Sequence, residues 1–321
     1  MTFPLPFAPR RIAIGANAHV GIAESIRARR PDLELRGKVF TEITAEDLTW
    51  AEAYIGFKRP PSVADMGNVR WIQCTGAGVD SWMSSDLEPS ILLTRSPESF
   101  GPMIAEWAVS RIFAIQLQVL ELAEAQRERR WAPRDIARVA GTRALVVGTG
   151  DIGRAIAHAL HALGVHVTGV SRSGTVSGTA DSAAFNAVHA ASEIANLVGD
   201  ADWIVVAVPD TPASRGLISR DVLSRCRGAV LLNAGRGSVV EETALPEALD
   251  HGWLRGAALD VFATEPLPVD SPLWSDPRVM VSPHISGLTT INGAAHGFLE
   301  CLESLERGAL PKWAVDRERG Y

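Results

Sequence analysis

Short, almost unbroken apolar runs recur along this chain, separated by stretches whose apolar residues follow a helical period. In the first third, Arg11–Gly15, Ala53–Phe57, Val69–Cys74 and Ile91–Thr94 read as strands, Leu33–Phe40 as a more polar one, and Ala18–Arg29 as a helix. A run that is apolar at nearly every position suits a strand covered on both faces, and spacers of helical length suit the crossovers that join parallel neighbours. The pattern restarts at Ala144, where Ala144–Val147, His166–Val170, Trp203–Val208, Ala229–Asn233, Gly256–Leu259 and Val279–Val281 are expected as six further strands. Ile152–Leu163, Ser192–Leu197, Ser219–Cys226 and Glu241–His251 are the expected covering helices.

One long helix is expected from Pro102 to about Glu128, between the two strand series, and another from about Asn292 to Arg307, after the second. The chain then crosses over, folds a second domain, and crosses back to finish the first. The expectation is α/β, with two doubly wound parallel-sheet domains. Residues 1–99 plus 286–321 form one, and residues 100–285 form an inserted Rossmann domain.

With 321 residues, 46% of them hydrophobic and 21% charged, the chain can bury two cores without disulfides or a structural metal. The 31 Lys+Arg against 37 Asp+Glu leave a formal charge of -6, which offers no general attraction to nucleic acid or an anionic membrane. Cys74, Cys226 and Cys301 have no metal-ligand spacing, and no secretory signal precedes Arg11, so a cytoplasmic location without metal is expected. The apolar stretch Met103–Leu122 carries Glu106, Arg111, Gln116 and Gln118, which marks a core helix rather than a membrane span.

Gly148-Thr149-Gly150-Asp151-Ile152-Gly153 follows one strand and opens an Ala-rich helix. In this setting Gly148 allows the tight turn, Gly150 lets backbone reach a pyrophosphate, and Gly153 lets helix meet sheet. The helix N-terminus, with Asp151 and Ile152, offers free amides and partial positive charge. The next strand ends in Ser171-Arg172-Ser173, where an NAD site would carry an acid; none occurs from His166 through Ala180. A guanidinium and two hydroxyls suit a 2′-phosphate, so NADP(H) is expected over NAD(H), which remains possible.

Arg236, Glu265 and His284 stand at or just past strand ends, where doubly wound sheets border their ligand crevice. Each alone has an ordinary reading, as a surface arginine, a paired glutamate or a loop histidine. Together they match the reduction of a 2-keto acid. That reaction needs a cation for the carboxylate and carbonyl, a proton donor, and an acid that favours the imidazolium.

These segments, with Asn233–Gly237, Leu259–Pro268 and Pro283-His284, resemble the D-isomer-specific 2-hydroxyacid dehydrogenase family. Ser171-Arg172-Ser173, the Ser271–Trp274 turn and the terminal Val315–Tyr321 resemble its bacterial glyoxylate/hydroxypyruvate reductase A branch. The resemblance implies a flavodoxin-like substrate domain and makes Arg236, Glu265 and His284 the catalytic set. It gives Gly76, Ala77 and Gly78 a role in binding the substrate carboxylate, together with Arg236 and His284. Asp260 would hold the nicotinamide carboxamide, and Ala234, Gly235, Arg236, His284, Ser286 and Gly287 would line its pocket. Val208 and Pro209 would border the path from adenosine to ribose. A homodimer is also implied, with Trp131 near a neighbouring subunit's site.

The expected activity is NADPH-dependent reduction of a small 2-keto acid with His284 as acid and base. Two alternatives stay open. Another 2-hydroxyacid dehydrogenase, such as one acting on 3-phosphoglycerate, would want an acid near Ser171. A non-enzymatic NAD(P)-sensing corepressor would keep the glycine fingerprint.

Overall fold

A computed structural model describes residues 3–61, 65–83, 87–97, 100–175 and 184–320. Ser99, Ala180 and Tyr321, which bound or fall in segments named above, lie outside the described residues. The chain divides into two units, Met1–Ser99 with Thr289–Tyr321, and Phe100–Leu288.

In the first unit the chain forms β1 (Arg11–Gly15), α1 (His19–Arg27), β2 (Glu34–Lys38), α2 (Ala45–Trp50), β3 (Ala53–Ile55), β4 (Trp71–Gln73) and β5 (Leu92–Thr94). The strands pair in parallel in the order β2-β1-β3-β4-β5, the flavodoxin-like arrangement with its reversal between β1 and β3. Alternate residues serve opposite faces: Ile12, Ile14, Ala53, Ile55 and Trp71 join one core, while Ala13, Tyr54, Ile72 and Leu93 join the other. Burial on both faces is why these strands read as continuous apolar runs. Edge strand β2, with sequence Glu-Leu-Arg-Gly-Lys, is largely exposed and accordingly polar.

The second unit begins with α3 (Gly101–Gln116) and α4 (Val119–Arg127). The single long helix expected there is two, bent by 58° at a break where Gln118 adopts a left-handed φ of 52°. Apolar spacing continues through the break, so periodicity alone could not reveal it. Then come β6 (Arg143–Val147), α5 (Asp151–Ala162), β7 (His166–Ser171), β8 (Ala187–Ala190), α6 (Ile194–Leu197), β9 (Trp203–Val206), α7 (Arg220–Leu223), β10 (Ala229–Asn233), α8 (Leu245–Asp250), β11 (Leu254–Leu259) and β12 (Val279–Val281). The sheet has seven strands among the described residues, not six, in the order β12-β11-β10-β9-β6-β7-β8, all parallel. The extra strand, β8, is a short edge strand with no fully buried residue, too weak a signal to stand out.

The chain returns to the first unit as α9 (Ile291–Glu306). Thr290 caps it by accepting from Gly293 N at 3.0 Å, and Phe298 stacks on Trp71 with ring centroids 5.0 Å apart. Among the described residues no single helix is long and apolar enough to cross a membrane, and no group of three His, Cys, Asp or Glu could hold a metal.

Candidate active site

In the second unit the fingerprint glycines serve three separate steric needs. Gly148 turns with φ of 110°, and a Cβ there would lie 2.5 Å from Ala207 O. A Cβ on Gly153 would lie 1.8 Å from Gly148 O, so the first turn of α5 packs against the glycine loop through bare backbone. Gly150 caps α5 with no side-chain hydrogen bond, and a Cβ there would meet nothing within 4 Å. Open space before a helix N-terminus is the geometry a pyrophosphate requires. Asp151 pairs with Arg154 at 2.5 Å, and Ile152 is half-buried behind it.

At the end of β7, Ser171 Oγ accepts from Thr175 N at 3.0 Å and donates to Thr175 O at 2.9 Å, and Ser173 Oγ lies 2.8 Å from Thr175 Oγ1. Arg172 is exposed at the tip of this turn and forms no ion pair among the described residues. The two serines thus shape the turn, while the guanidinium alone stays unengaged.

The ends of β9, β10 and β11 fit against one another through further glycines. A Cβ on Gly235 would lie 2.8 Å from Val208 O, and one on Gly237 would lie 1.9 Å from the Phe262 carbonyl carbon. Buried Asn233 organises the turn after β10, donating to Arg236 O at 3.0 Å and accepting from Gly235 N at 3.1 Å. Ala234 is buried and extends the ladder to Val206 O. Arg236 is half-buried, with Nη1 donating to Gly235 O at 2.7 Å. Nearby, Pro209 O accepts from Ser214 Oγ at 2.6 Å. Arg215, then Ser238 and the charge of Arg236, hold the Asp210 carboxyl below its ordinary range.

Two of the three expected catalytic side chains touch. His284 Nδ1 lies 2.8 Å from Glu265 Oε2. A carboxylate partner fixes the proton on Nδ1 and leaves Nε2 as the nitrogen for exchange. Glu265 is itself held by Phe262 N, which donates to Oε1 at 3.0 Å. Among the described residues no hydrogen bond joins Arg236 to this pair; it follows the neighbouring strand end, beside Gly237, whose backbone packs on Phe262. His284 has a φ of 54°, a left-handed conformation uncommon for a side-chain-bearing residue.

Asp260 explains how that backbone is held. Its carboxylate is 0% exposed and accepts from Ser282 Oγ at 2.5 Å, Ile285 N at 3.0 Å and Ser286 N at 2.7 Å. Its carbonyl accepts from His284 N at 2.8 Å, so one residue clamps both sides of the histidine. Trp107 Nε1 adds a bond to Ser282 Oγ at 3.1 Å, and Gly287 passes against Phe100 and Ile104 too closely for a Cβ.

In the first unit, Gly76, Ala77 and Gly78 form a loop after β4. Their N–H groups donate to no acceptor among the described residues, so the loop can offer amides to an anion. A crevice of about 310 Å³ adjoins it at the reversal point between β1 and β3, lined by Gly15, Asn17, Phe57, Lys58, Thr75 and Thr290 among others. The ring of Phe57 lies against Gly76, where a Cβ would be 2.4 Å from it. Neither this crevice nor the bonds that hold the loop were legible, because both depend on backbone and on residues distant in sequence.

The profile of the NAD-binding domain of D-isomer-specific 2-hydroxyacid dehydrogenases matches residues 109–286. Glyoxylate/hydroxypyruvate reductase A of Escherichia fergusonii is 33% identical over 254 residues, covering 77% of this chain and 80% of that one. Among solved structures, a D-isomer-specific 2-hydroxyacid dehydrogenase from Xanthobacter autotrophicus Py2, in complex with NADPH and MES, is 30% identical. It covers 98% of this chain and 100% of that one, with a TM-score of 0.86. A family protein from Aeromonas salmonicida is 28% identical, with a TM-score of 0.88 over 96% of this chain and 99% of that one.

Proposed function

The chain belongs to the D-isomer-specific 2-hydroxyacid dehydrogenases, and from that premise we propose that it reduces a small 2-keto acid of the glyoxylate or hydroxypyruvate type, with NADPH as the preferred reductant and NADH possible. The observation that carries this reading is the Glu265–His284 contact on the clamped loop, at the carboxyl edge of a sheet whose glycine turn fits a dinucleotide. The names of the Escherichia relative and the NADPH-bound Xanthobacter structure support the substrate and cofactor classes.

The fit of the nucleotide rests on this chain's own residues. The open approach at Gly150 and the first-turn amides of α5 take the pyrophosphate, and Arg172 pairs with a 2′-phosphate. Val208, Pro209, Ala234, Gly235, Asp260, Ser286 and Gly287 line the remainder. Asp260 contributes chiefly by holding the loop, since its two oxygens already accept three bonds. When bound, NADPH supplies the hydride. Arg236 and the amides of Gly76–Gly78 bind the substrate carboxylate, and Arg236 polarises the carbonyl. His284 Nε2 gives its proton to the carbonyl oxygen while Glu265 stabilises the charged ring from Nδ1. In oxidation the neutral ring takes the proton back.

Oxidation of NADPH followed with glyoxylate, hydroxypyruvate and longer 2-keto acids tests the reading, with NADH in parallel. Turnover of the two smallest acids is expected. Absence of turnover with every acid, despite NADPH binding, would favour a nucleotide sensor.

We also propose a cytoplasmic homodimer. Trp131 is 95% exposed, and Val119, Leu120, Leu122 and Ile136 add exposed apolar surface to this part of the second unit, more than a monomer gains from leaving in water. Sedimentation equilibrium checks the assembly; a monomer at micromolar concentration would refute it.

A further inference from the structure

Three consecutive carbonyls of the substrate loop are each bonded from behind. Ser96 N donates to Gly76 O at 3.0 Å, Arg95 Nη1 donates to Ala77 O at 3.2 Å, and Cys74 Sγ donates to Gly78 O at 3.4 Å. A peptide carbonyl and the next residue's N–H belong to one unit, so these bonds polarise the N–H groups of Ala77, Gly78 and Val79. Each becomes a better donor, because linked hydrogen bonds strengthen one another. None of those three amides has an acceptor among the described residues. Of the three donors behind the loop, only Arg95 carries a charge.

Arg95 is half-buried and is itself held by the end of the chain. Its N–H donates to Trp313 O at 3.1 Å, and its guanidinium lies over the buried Trp313 ring, 5.8 Å from the centroid. The same terminal segment adds an antiparallel bridge from Ala314 to Thr94, and Val315 N donates to Leu93 O at 2.9 Å. A short extension of the sheet therefore fixes the residue that sits behind the loop.

We propose that Arg95 is a positioning residue for the substrate: through the Ala77–Gly78 peptide it presents a charge-assisted amide to the carboxylate without touching it. Trp313 and the terminal strand keep the guanidinium in place. This rests on the reading that the Gly76–Gly78 amides bind the carboxylate. It adds a cation, separate from Arg236, whose effect is confined to carboxylate affinity.

The test compares Arg95→Lys and Arg95→Met with the wild type. It measures kcat and KM for glyoxylate, the affinity for oxamate, an unreactive 2-oxo acid mimic, by calorimetry on NADP-loaded protein, and the affinity for NADPH. In the Met variant, KM and the oxamate Kd should both rise about tenfold, with kcat within about threefold and NADPH affinity unchanged. The Lys variant, which keeps charge and a donor, should recover most of the loss. An unchanged oxamate Kd in the Met variant overturns the proposal, as does a Lys variant no better than Met. Should the Met variant fold poorly, the Lys variant and Trp313→Leu decide it: loss of the indole must weaken oxamate binding in the same sense. Wild-type protein that binds oxamate but reduces no 2-keto acid would refute the proposed activity and leave the Arg95 test intact. Wild-type protein that binds no oxamate refutes this inference.

Discussion

Two glycine loops follow buried parallel strands in this protein and leave some backbone amides without an acceptor among the described residues, yet they reach that state by different means. Gly148–Gly153 runs directly into the twelve-residue helix α5, so its free amides and partial positive charge come from the helix. Gly76–Gly78 is followed by a 3₁₀ turn at Asp80–Trp82. Its amides are turned out because Ser96, Arg95 and Cys74 hold the carbonyls from behind. An anion site made by a helix is a local property of sequence. One made by distant donors is a property of the tertiary fold, and its strength depends on residues that never meet the ligand.

The largest expected effects break the helix-borne side of this contrast, where reacting groups gather. His284→Ala should lower kcat by about 10²–10⁴-fold, the usual loss for a general acid, while NADPH and oxamate still bind. Steady-state rates with calorimetry check this, and a near-normal kcat would remove His284 from the chemistry. Because reduction needs the charged ring and oxidation the neutral one, kcat for reduction should fall with rising pH while kcat for oxidation rises. Profiles of both directions that run parallel would contradict the role given to His284.

Next comes the clamp beneath the histidine. Asp260→Ala leaves three donors without their acceptor, those of Ser282 and Ser286 on buried residues, at about 1–3 kcal/mol for each that finds no water. A loss of several kcal/mol in urea unfolding is expected, with kcat falling as well. Asp260→Asn should lose less stability, since one amide oxygen can still accept.

Arg172→Ala should have a smaller and more selective effect. The residue is exposed and forms no ion pair among the described residues, so folding should be untouched. NADPH affinity should fall about 10–100-fold, as expected when a charge-assisted bond to phosphate is lost, with NADH affinity within about twofold. A similar loss for both nucleotides would place the 2′-phosphate elsewhere.

The contrast also explains what could be read from sequence. Arg11–Gly15 and Ala229–Asn233 were visible as strands because both faces are buried and nearly every position is apolar. The glycine fingerprint was visible because its spacing between a strand and a helix is itself a sequence pattern: Gly148 and Gly153 stand where a Cβ would clash, and Gly150 leaves the helix N-terminus open. Ala187–Ala190, half exposed at a sheet edge, left no such trace, and the break at Gln118 is hidden inside a continuous apolar rhythm. Glu265 and His284 were legible as reactive residue types at strand ends, although nothing in their spacing shows the 2.8 Å contact. Arg95 was not legible at all. Its role comes from Trp313 and from a peptide in another loop, and an arginine at the end of a strand has no signature of that kind.

The smallest effect separates stabilisation from chemistry within the second unit. Asp276 bonds Arg278 with Oδ2 at 2.6 Å from Nη2 and Oδ1 at 2.9 Å from Nε, and that guanidinium holds its carboxyl below the ordinary range. A depressed folded-state pKa means the folded protein keeps this carboxylate ionised at a pH where the unfolded chain binds a proton. The pair therefore adds stability above the unfolded value and loses it as pH falls through the folded one. Asp276→Asn should flatten the acid-side decline of stability below about pH 4, by a modest amount for a partly exposed pair, and leave the kcat profile of reduction where it was. Urea unfolding at several pH values, set beside those rates, reads the two separately. A shift of the kinetic profile in this variant would mean that the Asp276–Arg278 turn, which leads into β12, also sets the position of His284 beyond the strand's other end.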